Sequence, residues 1–128
     1  MALHDKLRLL VVDDMSTSRG LISQALENFG IRNVITAASG TEALDLVIKY
    51  PVHLILSDFN MPKMDGLALL AAIRANPKTQ TMGFIMVSGR ADETMLEIGR
   101  SLGMNNYLQK PFTPASLRDC LEAVVGRL

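Results

Sequence analysis

Leu7-Arg8-Leu9-Leu10-Val11-Val12 is a nearly unbroken apolar run that ends in two adjacent acids, Asp13-Asp14. Continuous apolar runs, unlike alternating ones, suit strands of a parallel sheet covered on both faces. The same signature returns from Val52 to Leu56 and from Phe84 to Val87, with weaker strands at Asn33 to Thr36 and Asn106 to Gln109. Between these runs lie helix-period segments with recognisable ends. The first runs from Ser16 to Phe29 and exits at Gly30. Ser39 and Glu42 read as a capping box for the second, which Tyr50-Pro51 terminates. The third starts at Asp65-Gly66 and stops before Pro77, and the fourth spans Asp92 to Leu102 before Gly103. Thr113-Pro114 places a cap residue and a first-turn proline ahead of the fifth, Ala115 to Val125. Five strand–helix units in succession, joined by right-handed crossovers, predict a three-layer α/β sandwich with five helices around a five-stranded parallel sheet.

The 128 residues are expected to form a single domain, 1–128, and composition narrows what it does. Thirteen basic residues cancel 13 acidic ones, so no broad positive field exists for nucleic acid or an anionic membrane. A single cysteine excludes an internal disulfide and a thiolate metal cluster, which fits a reducing compartment. The polar start, Met1 to Lys6, does not read as a signal peptide, and no apolar run approaches the ~20 residues of a membrane helix. A cytoplasmic setting is expected.

The charged residues at strand ends carry the chemistry. Asp13-Asp14 close the first strand, Asp58 the third, and Lys110-Pro111 the fifth. Ligands of open parallel sheets bind at the carboxyl ends of the strands, so these groups should meet at one edge. Each like-charged pair of carboxylates ~5 Å apart costs roughly 3 kcal/mol at an effective dielectric near 20. Such a cluster calls for a cation or a raised pKa on one member. Oxygen ligands without a Cys/His set favour Mg²⁺. Any one of these aspartates could be a mere cap; their coincidence with Lys110 argues otherwise.

Val11-Val12-Asp13-Asp14, the stretch from Ser57 to Gly66 (Ser57-Asp58-Phe59-Asn60-Met61-Pro62-Lys63-Met64-Asp65-Gly66), Val87-Ser88-Gly89 and Lys110-Pro111-Phe112-Thr113 together resemble the receiver domains of two-component response regulators, in their single-domain chemotaxis form. The resemblance covers essentially the whole chain. It implies a flavodoxin-like strand order 2-1-3-4-5. It implies that Asp58 accepts a phosphoryl group from a sensor histidine kinase of the chemotaxis type. Mg²⁺ would be held by Asp14, Asp58 and the Asn60 carbonyl, with Asp13 acting through a bound water. Lys110 and the Ser88 hydroxyl would contact phosphoryl oxygens, and a cis Lys110-Pro111 peptide would aim the lysine inward. Ser88 and Tyr107 would form the switch: the hydroxyl moves toward the phosphoryl group, Tyr107 rotates inward, and Gly89 leaves room. The expected partners are the kinase and a flagellar motor switch protein or a phosphatase, with the chain acting as a monomer.

Departures from the family pattern bear on partners more than on chemistry. Ser88 replaces the commoner threonine, and Phe59 and Met15 stand where relatives carry other large aromatics. Asp92-Glu93 opens the fourth helix where enteric motor-binding relatives have lysines, which keeps a phosphate-sink role open beside the messenger role. Asn60 and Arg90 would tune attack by water. Met15, Met61 and Met64 are candidates for the rim, Cys120 for packing, His4 for a frayed terminus and His53 for a plain strand position. An aspartyl-phosphate hydrolase is the enzyme alternative, but its usual acids lie two residues apart and its cap domain has no room here. A nucleotide-binding fold would need a Gly-x-Gly turn after the first strand, where this chain has acids.

Overall fold

Leu9, Leu10, Val11 and Val12 are all fully buried, as two-sided burial of the first strand requires. The computed structural model describes residues 3–89 and 92–128. In it β1 (Arg8–Val12), β2 (Asn33–Ala37), β3 (Leu54–Asp58), β4 (Gly83–Ser88) and β5 (Asn106–Gln109) form one sheet in the order β2-β1-β3-β4-β5, every pairing parallel. The helices among the described residues are α1 (Leu3–Lys6), α2 (Ser16–Asn28), α3 (Gly40–Lys49), α4 (Gly66–Ala75), α5 (Glu93–Ser101) and α6 (Pro114–Val125). None is long and apolar enough to cross a membrane.

Period-two alternation divides the core into two halves. Leu10 and Val12 of β1, Ile55 of β3 and Phe84 and Met86 of β4 pack with Ala43 and Val47 of α3, Leu69, Leu70 and Ile73 of α4, and Met95 and Leu96 of α5. Their neighbours Leu9, Val11, Leu54, Leu56, Ile85 and Val87 point the other way, onto Ile22, Ala25 and Leu26 of α2 and Leu117, Cys120 and Leu121 of α6. Each fully buried leucine or isoleucine contributes about 1.5–3 kcal/mol, so the three layers follow from the strand composition.

The helix ends behave largely as the sequence predicts. Ser39 Oγ accepts from the Glu42 amide at 3.1 Å, but Glu42 returns its bond to the Ala38 amide (3.3 Å) rather than to Ser39. Thr113 and Ser116 form a reciprocal capping box behind Pro114. Two expectations need correcting. The sequence predicts five helices and a frayed start, yet Leu3–Lys6 forms an additional turn, and His4 packs against Gly30 and lies 3.5 Å from Asp5. His53 lies before β3 rather than within a strand, and its Nδ1 accepts the Arg8 amide at 3.0 Å. Val52 is buried without joining the ladder.

The opposite end of the sheet is tied by Arg74 of α4. Its guanidinium donates to the carbonyls of Gln80 (2.9 Å), Met82 (2.6 Å) and Gly103 (2.8 and 3.2 Å) and to Asn105 Oδ1 (3.0 Å). Gly103 sits at φ 95°, and a Cβ there would approach Arg74 Nε to 2.9 Å, so glycine is needed on both counts.

Candidate functional site

At the carboxyl end of the sheet, adjacency of β1 and β3 brings Asp13 and Asp14, which follow β1, up to Asp58, which ends β3. One carboxylate oxygen from each of the three lies within 4.8 Å of the others. Asp13 is fully buried, Asp58 nearly so, and Asp14 is exposed. Asp13 is held from both sides: Oδ1 accepts the Met15 amide at 3.0 Å, and its carbonyl accepts Arg19 Nη1 at 2.8 Å.

Lys110 follows β5 and enters through a cis peptide to Pro111, as expected. Its amide donates to the Ser88 carbonyl (2.8 Å), continuing the β4–β5 register past the end of β5. Its ammonium stands 3.3 Å from Asp13 Oδ2, 3.4 Å from Asp58 Oδ1 and 3.1 Å from Ser18 Oγ. Burial pushes the Asp58 carboxyl above its ordinary pKa; the Lys110 ammonium pulls it down and the Asp13 carboxylate pushes it up again. Three carboxylates against one ammonium leave a formal charge of −2 in the pocket. At 4.8 Å each carboxylate pair repels by roughly 3 kcal/mol at an effective dielectric of 20. Hard oxygen donors and that residual charge fit one divalent cation such as Mg²⁺.

The loop after β3 is built to keep Asp58 in place. Asp65 Oδ1 caps α4 through the Ala68 amide (2.9 Å), and the Gly66 amide donates to the Phe59 carbonyl (2.9 Å). Gly66 cannot carry a side chain: a Cβ would come within 2.8 Å of the Asp58 carbonyl oxygen and would also strike Met86 Sδ. Lys63 takes the left-handed conformation (φ 69°) at the turn.

The remaining candidates divide. Asn60 is exposed two positions beyond Asp58. Ser88 is buried at the end of β4, and the half-buried Tyr107 places its hydroxyl 3.4 Å from the Ser88 carbonyl, so the expected switch pair is in contact. A Cβ on Gly89 would meet nothing within 4 Å among the described residues. Arg90 lies outside the described residues. Met61 and Met64 belong to the core between the sheet and α3–α5 rather than to the rim, whereas Met15 is 61% exposed. Cys120 is buried, its thiol pushed up to about 11 by desolvation. The sequence reading missed Ser18 and Arg19, and it also missed a 650 Å³ groove beside Lys110, between α2 and the β5–α6 connection, where Leu21 is 64% exposed.

Comparison with known proteins agrees with this architecture. The model of the response regulator receiver domain matches residues 9–122. A probable chemotaxis protein CheY of Rhizobium etli is 41% identical over 128 residues, covering 100% of this chain and 99% of the relative. A CheY homolog of Campylobacter jejuni is 41% identical over 121 residues, covering 94% and 93%. Among solved structures, Vibrio cholerae CheY4 superposes with a TM-score of 0.88 at 32% identity, over 93% of this chain and 98% of that one. The receiver domain of a Pseudomonas aeruginosa sensor histidine kinase, with a magnesium ion coordinated in its active-site cleft, gives 0.84 at 29% identity over 94% and 98%. The strand order, the acidic pocket and these likenesses lead to one assignment: the chain belongs to the response regulator receiver domain family.

Proposed function

We propose that this chain is a chemotaxis response regulator that takes a phosphoryl group onto Asp58 from the histidine of a sensor kinase, with residues 1–128 acting as one receiver unit. The observation that carries the reading is the convergence of Asp13, Asp14 and Asp58 within 4.8 Å with the Lys110 ammonium 3.4 Å from Asp58. An Asp58 oxygen forms a bond to phosphorus as the phosphorus–nitrogen bond of the donor breaks, and the imidazole leaves with that electron pair and takes up a proton. Asp13, Asp14, Asp58 and the Asn60 carbonyl would hold Mg²⁺, whose contribution when bound is to neutralise the charge gathered around the phosphoryl oxygens. Lys110 supplies a further positive charge, which orients one phosphoryl oxygen and opposes the repulsion between an anionic nucleophile and an anionic donor.

Ser88 binds a second phosphoryl oxygen through its hydroxyl. Because Lys110 and Tyr107 both bond the Ser88 carbonyl, at 2.8 and 3.4 Å, a shift of Ser88 is transmitted to β5. The test is transfer from a phosphorylated chemotaxis kinase: label should pass to the chain in Mg²⁺ and not to Asp58→Asn, whereas transfer to both would overturn the assignment.

The output is either a messenger to a flagellar motor switch protein or a phosphate sink for a shared kinase. The acidic opening of α5, N-capped by Asp92 and beginning with Glu93, favours keeping the sink reading beside the first. Binding of a motor-switch peptide measured with and without beryllofluoride separates them. Enhancement supports the messenger, and its absence leaves the sink.

A further inference from the structure

Ser18 stands in the first turn of α2, where a serine ordinarily caps the helix or faces water. Neither describes it here. Met15 occupies the cap position without a side-chain cap bond, and the turn is closed by Asp13 Oδ1 accepting the Met15 amide. Ser18 Oγ accepts a hydrogen bond from Lys110 Nζ, 92 residues away in sequence, at 3.1 Å. That is shorter than the contacts of the same ammonium to Asp13 Oδ2 (3.3 Å) and Asp58 Oδ1 (3.4 Å). An ammonium has three N–H groups, and these three acceptors engage all of them.

We propose that Ser18 is a positioning residue for phosphoryl acceptance at Asp58, acting through Lys110; the proposal rests on the phosphoacceptor reading above. A lysine on a four-carbon stem is flexible, and ordering it is entropically costly. A neutral third acceptor fixes the ammonium without adding charge, so the pocket keeps its formal −2 for a divalent cation. When Asp58 takes the phosphoryl group, the ammonium exchanges one partner for a phosphoryl oxygen while Asp13 and Ser18 hold the other two N–H groups. A carboxylate at position 18 would bind the ammonium too strongly for that exchange, and an alanine would leave it to two anions.

The test measures the rate at which the full chain acquires a phosphoryl group from acetyl phosphate in Mg²⁺, for wild type, Ser18→Ala, Ser18→Thr, Lys110→Ala and the Ser18→Ala/Lys110→Ala double variant. Alanine favours the helix, and circular dichroism checks that each variant folds. Ser18→Ala should slow acquisition about tenfold, the effect of one hydrogen bond to a charged group. Ser18→Thr should restore most of the rate. The double variant should be no slower than Lys110→Ala, because a residue that acts through the lysine has nothing left to position. A folded Ser18→Ala at the wild-type rate, a threonine that fails to restore it, or a full further loss in the lysine-free background overturns the role of Ser18 and leaves the phosphoacceptor reading standing. A wild-type chain that acquires no phosphoryl group overturns both.

Discussion

The Lys110 ammonium stands 3.4 Å from Asp58 Oδ1 and 3.3 Å from Asp13 Oδ2, so one cation bridges the carboxyl ends of β1 and β3 from the carboxyl end of β5. At an effective dielectric of 20 each contact is worth roughly 5 kcal/mol of attraction before desolvation is counted. The lysine therefore competes with any divalent ion for the same oxygens. Lys110→Ala should keep the fold and bind Mg²⁺ about tenfold more tightly by calorimetry, yet bind beryllofluoride more weakly and fail to couple phosphorylation to output. Weaker Mg²⁺ binding in this variant would show that the lysine is not the ion's competitor.

Asp14 is the exposed member of the cluster, and the Lys110 ammonium bonds Asp13, Asp58 and Ser18 instead, which leaves the Asp14 carboxylate the one most available to an ion. Asp14→Ala should weaken Mg²⁺ binding by about tenfold or more while barely changing the melting temperature. Unchanged affinity would place the ion elsewhere.

Asp58 is raised by burial and by Asp13, against the opposing pull of Lys110. A carboxyl whose pKa is higher in the folded chain than in the unfolded one holds its proton more tightly when folded. Its contribution to stability is full below the unfolded value and falls as pH climbs through the raised one. Without Mg²⁺, Asp58→Asn should therefore unfold at a higher urea concentration than wild type near neutrality, with the advantage shrinking toward pH 3. A variant equal to wild type at every pH would mean that the buried charge is not strained.

A methyl group at position 66 must displace the Asp58 carbonyl or Met86. Gly66→Ala should cost about 1–3 kcal/mol in chemical denaturation and slow phosphoryl acceptance, because one of the obstructed atoms is the carbonyl oxygen of Asp58, the proposed phosphoryl acceptor. Full stability would mean that the loop after β3 yields more easily than its hydrogen bonds suggest.

Cys120 supplies an alkaline counterpart. With its thiol pushed up to about 11 by burial, about a hundredfold fewer thiolates exist than in the unfolded chain near pH 8, and disulfide reagents should react correspondingly slowly until the chain unfolds. Stability from this group is intact below the unfolded value and is lost as pH rises toward 11. Fast labelling of the folded protein would indicate that α6 opens away from β5.

The acids and the lysine were legible in the sequence because each terminates an apolar run, and a parallel sheet collects such ends on one edge. Val52 reads as strand because hydropathy records its burial, although β3 begins only at Leu54. His53 extends the ladder by one position, its amide donating to the Arg8 carbonyl (2.8 Å) and its carbonyl accepting the Gly83 amide (2.9 Å). The four-residue α1 is too short to show helical periodicity. Ser18 and Arg74 escaped notice for a different reason: both look like ordinary helix-surface residues. Their partners, Lys110 and the loops before β4 and β5, are brought to them only by the tertiary fold.

Intact mass of the chain after acetyl phosphate and Mg²⁺, followed by peptide mapping, tests the central claim most directly. One phosphoryl group on the peptide carrying Asp58, absent from Asp58→Asn, is the outcome expected. A chain that stays unmodified, or that carries the group on another residue, contradicts the account.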